Sequence, residues 1–383
     1  MNNFLPFSKP CIDQATIDEV VDCIQSGWLA TGPRVQEFAK RLQQYLGASY
    51  AVPLTSGTAA LHVALLGFDL QPGDEVILPS MTFVACANMI VQAGGVPVFV
   101  DVDLGTLNLT VDRIEAAITE KTKVIMPVHF AGLPVDLDPI YALAKKHNLR
   151  VLEDAAHAIG AEYKGKRIGS FGDVQIFSFH PNKNMTSGEG GCVTTRDEAL
   201  ARKIRVQSFH GIDRDVWNRF SKQGSQHYDV LEPGFKYNMP DLLAAIGMHQ
   251  LTHVDAFNER RAQIVQRYYD ELKDWKEWQL PAKPSYDCKH VWHLFTPLIN
   301  EKAAGMTRDE FMTKMKEYDI GTGFHYSAVH LFTYYREKFG YKEGDCPNAE
   351  SIGQRVVSLP LFPTLTDDEQ TRVIEAMRTV FNK

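Results

Sequence analysis

The sequence has no CxxC pair: its six cysteines (Cys11, Cys23, Cys86, Cys192, Cys288 and Cys346) are scattered singly along 383 residues. That spacing suits neither a zinc framework nor a disulfide scaffold, so inert thiols in a reducing cytosol are expected and no metal site. Neither GxxxxGK[ST] nor GxGxxG occurs, which leaves a P-loop triphosphatase or a dinucleotide dehydrogenase without an anchor. Positive charge is not in excess. The 40 Lys and Arg face 47 Asp and Glu, a net charge of −7, which argues against nucleic acid or an anionic membrane as the main partner. The longest charge-free stretch, Val76–Val100, could span a bilayer by length alone. It contains Pro79, Asn88, Gln92, Gly94, Gly95 and Pro97, however, which fit strand–turn–helix structure better than a membrane helix. The N-terminal MNNFLPFSKP lacks both a basic n-region and an apolar h-region, so a cytoplasmic protein is expected. Gly and Pro stand near average use, and there is no internal repeat and no Gly/Ser linker.

What is present is hydrophobic periodicity of two kinds. Ile17, Val20, Val21 and Ile24 follow helical spacing up to Gly27, and Val35, Phe38, Leu42 and Leu46 do so up to Gly47. Short β-branched runs then recur at 75–78, 96–100, 123–128, 150–152, 174–179 and 192–195, with helical patterns such as 111–117 and 139–147 between them. Continuous apolar strands alternating with helices predict a mostly parallel α/β sheet covered on both faces. The polar stretch from about Ser208 to Pro233 reads as a long surface loop, and a helix is expected from about Met239. The chain divides into a large domain over 1–250 and a smaller α+β domain over 251–383. The latter holds helices at 308–318 and 367–380 and a strand at 293–298.

Parallel α/β sheets bind ligands beyond the carboxyl ends of their strands, and three features fall there. Asp154 closes the run RVLED, Lys183 follows VQIFSFH, and Thr55-Ser56-Gly57-Thr58 opens a helix over 59–66. Each has an ordinary reading: a helix cap, a surface lysine, another cap. Together they match pyridoxal phosphate: amides and hydroxyls at a helix start for the phosphate, an acid after one strand, and an amine able to form a Schiff base after another.

Several long blocks carry a resemblance: SGWLATGP (26–33), TSGTAALHVAL (55–65), PSMTFVA (79–85), EDAAHAIGAEYKGKRIGSFGD (153–173), FSFHPNKNMTSGEGG (177–191), GFKYNMPDLLAAIG (234–247), HVWHLF (290–295) and IGTGFHY (320–326). Nearly end to end, the sequence resembles the DegT-type sugar aminotransferases, and within them looks closest to the UDP-4-amino-4-deoxy-arabinose synthases of lipid A modification. The resemblance implies the pyridoxal-phosphate transferase fold of type I, with a seven-stranded, mostly parallel mixed sheet between helices. It implies Lys183 as the residue of the internal aldimine and the proton shuttle, Asp154 holding the pyridine nitrogen protonated, and Phe83 and Ala156 on the two ring faces. It further implies His157 near the phenolic oxygen, Gly57, Thr58 and Ser178 on the phosphate, and Trp28, His325 and Tyr326 toward substrate. Homodimers with shared active sites are implied too, a partner's segment reaching the phosphate. Relatives often read NYR there and this chain reads KYN, so Lys236 and Asn238 both stand as candidates. The implied reaction moves the amino group of L-glutamate to a keto carbon, C4 in most relatives, of a nucleotide-linked sugar for cell-surface polysaccharide, lipid A or related aminosugar synthesis. A 3-keto-sugar aminotransferase, or a non-enzymatic binding protein retaining the fold, are the alternatives.

Overall fold

The structure is a computed structural model that describes residues 4–212 and 228–383. Part of the expected surface loop, 213–227, lies outside the described residues. Two helices open the chain. In α1 (Gln14–Gln25) the Asp13 carboxylate accepts from the Thr16 amide at 2.8 Å, capping the first turn. Helix α2 (Pro33–Leu46) starts with proline at its first position and ends at Gly47, whose φ of 73° is the left-handed conformation that glycine tolerates best. Its Val35, Phe38, Leu42 and Leu46 are buried, as their spacing predicts.

Strands and helices then alternate: β1 (Tyr50–Leu54), α3 (Gly57–Gly67), β2 (Glu75–Pro79), α4 (Ala85–Gln92), β3 (Val96–Val100), α5 (Val111–Ala117), β4 (Thr122–Ile125), α6 (Leu137–His147) and β5 (Arg150–Asp154). A two-residue-strand hairpin, β6 (Glu162–Tyr163) and β7 (Lys166–Arg167), precedes β8 (Val174–Ser178), β9 (Gly191–Thr195) and α7 (Glu198–Ser208). Seven strands form one sheet in the order β1-β9-β8-β5-β4-β2-β3. Only β9 runs against its neighbours β1 and β8, so the other six point the same way and their carboxyl ends share one edge. The charge-free stretch is β2, α4 and β3, and no helix among the described residues is long and apolar enough to cross a membrane.

A 32-residue helix, α8 (Asp241–Leu272), follows; the division expected at 250/251 falls inside it. Its first half packs on α1 and α2, and its second half enters a separate C-terminal core. There Tyr268 stacks on Phe295 at 5.3 Å, beside Phe311, Met315 and Met377. Burying each such side chain stabilises the fold by about 1.5–3 kcal/mol.

One expectation needs correction, and two further features were not legible in the pattern. Strand β1 carries no clear signal because Pro53 interrupts it; it is an edge strand of the sheet, with β9 as its neighbour strand, where a missing N–H costs little. The strand expected at 293–298 reduces to Leu298–Ile299, and the rest of the segment makes no ladder. The apolar stripe of α1 does not face the core of this chain. The helix is buried through Thr16 and Cys23, and Ile17, Val21 and Ile24 are 45, 44 and 55% exposed.

Candidate active site

The shared carboxyl edge of the sheet opens into a cavity of about 300 Å³. Strand β1 leads through Ser56 into α3, β2 through Thr82 and Phe83 into α4, β5 ends at Asp154, and β8 ends at Ser178, five residues before Lys183. One wall is a helix start. The Ser56 hydroxyl accepts from the Ala59 amide at 3.0 Å, while the preceding amides of Gly57 and Thr58 have no partner within the helix. A Cβ at Gly57 would lie 2.9 Å from Ser178 Cβ, so glycine is what lets this helix start close against the end of β8. With Thr58 exposed and Ser178 opposite, the hollow offers amides, hydroxyls and a helix dipole to an anion.

On the other side lies Lys183. Burial pushes its amine down from 10.5 to about 8, against the opposing pull of the Asp154 charge. Asp154 is held at both oxygens: Oδ1 accepts from the Ala156 amide at 2.9 Å and Oδ2 from the Cys86 thiol at 2.9 Å. His157 Nδ1 accepts from the Ala131 amide at 3.2 Å, so the ring proton sits on Nε2, which donates to the Tyr326 hydroxyl at 3.2 Å. Burial, with repulsion from Lys183, keeps His157 neutral far below the usual histidine range. The same causes bring His325 down to about 4; its Nδ1 meets the Ser358 hydroxyl at 2.7 Å. Burial raises the Tyr326 phenol, which therefore stays protonated.

The cavity thus brings together Gly57, Thr58, Phe83, Asp154, Ala156, His157, Ser178, Lys183, His325 and Tyr326. Three expected residues are not among its lining. Trp28 packs beside Thr31 and Gly32, its indole N–H donating to the Thr31 carbonyl at 3.3 Å. Asn238 donates to the Thr31 hydroxyl and lines a second cavity. Lys236 is exposed, its ammonium 4.4 Å from the Phe209 ring centre.

Sequence reasoning missed Cys86 and the buried pair Asn184–His293. The Asn184 amide donates to Asn258 Oδ1 at 2.7 Å and to the Val291 carbonyl at 2.8 Å, and its oxygen accepts from His293 Nδ1 at 3.2 Å. This ties the residue after Lys183 to α8. The His293 ring lies 4.3 Å from that of His157. Adjacency to Lys183 could have drawn attention to Asn184; nothing in the sequence marks Cys86.

The donor set fits pyridoxal phosphate: a buried amine of lowered basicity, a fixed carboxylate for a ring nitrogen, and an anion cradle too tight for any residue but glycine at position 57. The comparisons with known proteins agree. Residues 10–378 match the model of the DegT/DnrJ/EryC1/StrS aminotransferase family. The chain is 47% identical to the spore coat polysaccharide biosynthesis protein SpsC of Bacillus subtilis, over 99% of this chain and 97% of that one. Among solved structures it superposes on the putative sugar aminotransferase Spr1654 of Streptococcus pneumoniae in its PMP form with a TM-score of 0.91, at 33% identity and 99% of both chains. It also superposes on PseC of Helicobacter pylori, an aminotransferase of pseudoaminic acid biosynthesis, with a TM-score of 0.92, at 27% identity over 99% of this chain and 100% of that one. The protein belongs to the DegT/DnrJ/EryC1/StrS family of sugar aminotransferases, pyridoxal-phosphate enzymes of fold type I.

Proposed function

We propose that this enzyme transfers the amino group of L-glutamate to the keto carbon, C4, of a nucleotide-linked keto sugar in the cytoplasm, for cell-surface polysaccharide or a related aminosugar product. The observation that carries the reading is the buried Lys183 amine, of lowered basicity, in one cavity with the doubly hydrogen-bonded Asp154. The 47% identity to a spore coat polysaccharide biosynthesis protein supports the biosynthetic setting. Pyridoxal phosphate, when bound, supplies an electron sink for the carbon that carries the nitrogen.

Each residue then has a task. Lys183 would hold the cofactor covalently and, once free, its amine would take and return the proton at the carbon bearing nitrogen. Asp154 would keep the ring nitrogen protonated by an adjacent negative charge. Gly57, Thr58 and Ser178 would hold the phosphate, with Phe83 and Ala156 beside the ring. His157, neutral and donating from Nε2, orients Tyr326, while Tyr326 and His325 meet substrate.

The charges of the cavity argue for a second subunit. Among the described residues no arginine lines it, and Lys183 is the only lysine that does, although a phosphate must be bound there. Lys236 is an exposed cation that no described carboxylate pairs, whereas Asn238 is engaged with Thr31 of its own chain. A second copy covering Ile17, Val21 and Ile24 of α1, together with Trp28, and lending Lys236 completes the site. Two inactive chains, Lys183→Ala and Lys236→Ala/Asn238→Ala, should then regain activity after subunit exchange; an active monomer or no recovery rejects shared sites.

The substrate reading is tested by incubating the holoenzyme with glutamate and UDP-, GDP- and dTDP-linked 3-keto and 4-keto sugars, with mass spectrometry of the products. Amination of a 4-keto nucleotide sugar with release of 2-oxoglutarate supports it. Amination confined to 3-keto sugars or to free sugars overturns it.

A further inference from the structure

Cys86 lies in the first turn of α4, fully buried and outside the cavity lining. Its sulfur is 2.9 Å from Asp154 Oδ2 and 3.2 Å from the Thr82 hydroxyl. An ionised carboxylate can only accept, so the thiol donates to Asp154, and the Thr82 hydroxyl in turn donates to the sulfur. The other carboxylate oxygen is taken by the Ala156 amide at 2.9 Å. Two donors from two different segments therefore fix the plane of the carboxylate, and each oxygen keeps a second lone pair for a ring N–H. Thr82 lines the cavity, so this chain of donors starts at the site and returns to it through the interior.

We propose that Cys86 is a positioning residue acting through Asp154: its S–H bond holds the carboxylate in the orientation that meets the cofactor's ring nitrogen. The alternative of a thiol that merely fills space would need no polar partner, yet this one meets two. Burial and the neighbouring Asp154 charge raise the thiol well above its usual range, which keeps it a donor at every working pH. The proposal rests on Asp154 as the partner of that nitrogen.

The effect follows from what the bond fixes. Without the S–H, Oδ2 loses its donor and the carboxylate is held at one oxygen only, while the phosphate hollow is untouched. The experiment measures kcat, KM for both substrates, the dissociation constant of pyridoxal phosphate and the visible absorbance of the holoenzyme for the native chain, Cys86→Ala, Cys86→Ser and Asp154→Asn. In Cys86→Ala kcat should fall about 5–20-fold, with KM for both substrates and the dissociation constant of pyridoxal phosphate unchanged. Cys86→Ser, which keeps a donor, should restore the native kcat. Cys86→Val replaces Ala if the smaller side chain destabilises the fold. A native kcat in Cys86→Ala, while Asp154→Asn lowers it, overturns the role of Cys86. So does a Cys86→Ser chain that behaves like Cys86→Ala, which marks a packing role. If Asp154→Asn also leaves kcat unchanged, the assignment of Asp154 falls, and the role of Cys86 with it.

Discussion

If Lys183 is the amine that carries the cofactor, its titration should govern how fast the apoenzyme takes pyridoxal phosphate. Only the neutral amine attacks a carbonyl carbon, so the attachment rate follows the free-amine fraction. Burial brings Lys183 from 10.5 to about 8. At pH 7 that raises the free-amine fraction by roughly 300-fold, to about a tenth of the molecules. Stopped-flow absorbance from pH 6 to 10 should show a rate rising with pH and levelling off around a midpoint near 8. Asp154 favours the ammonium, so in Asp154→Asn the midpoint should fall below 8. A native midpoint near 10.5, or one that Asp154→Asn does not lower, would refute the electrostatic reading of the pair.

The same shift has a cost in stability. A lysine lowered by about 2.5 units on folding binds fewer protons folded than unfolded, so apoenzyme stability is reduced by about 3 kcal/mol below pH 8 and recovers between 8 and 10.5. Lys183→Met should therefore stabilise the apoenzyme to urea at pH 7 by about 2–3 kcal/mol, with the gain fading toward pH 10.5; a pH-independent gain would contradict this. Asp154→Asn should retain most cofactor affinity near neutral pH but slow transfer by on the order of 10²-fold or more, since an amide cannot hold the ring nitrogen protonated; unchanged turnover would reduce the acid to a structural role. Gly57→Ala should fold yet bind pyridoxal phosphate at least about 10-fold more weakly, because its Cβ would meet Ser178 at 2.9 Å; equilibrium dialysis decides, and native affinity would remove the phosphate from this hollow.

Much of this molecule could be read in order along its chain. The runs ending at Asp154 and Ser178 are short strands buried on both faces, and the residues after them fall at the strand mouths by topology alone. Lys183, Asp154 and the Gly57–Thr58 helix start were legible for that reason. Strand β1 was not, since Pro53 is tolerated only by virtue of its edge position, which belongs to the sheet rather than to the segment. The stripe Ile17–Val21–Ile24 announced a helix correctly but not which surface it serves, because periodicity fixes a face and says nothing of what lies against it. Cys86 meets Asp154 across 68 residues, and Asn184 meets Asn258 across 74; contacts at such separations leave no local pattern.

We propose that the cofactor is held on Lys183, in the cavity beyond the carboxyl ends of β5 and β8. Borohydride reduction of the holoenzyme, digestion and mass mapping of the peptides test it most directly. A pyridoxyl group should appear on the peptide that contains Lys183 and on no other, and none when Lys183→Ala is treated in the same way. A pyridoxyl group on another lysine of the native enzyme, or retained in full by Lys183→Ala, would contradict it.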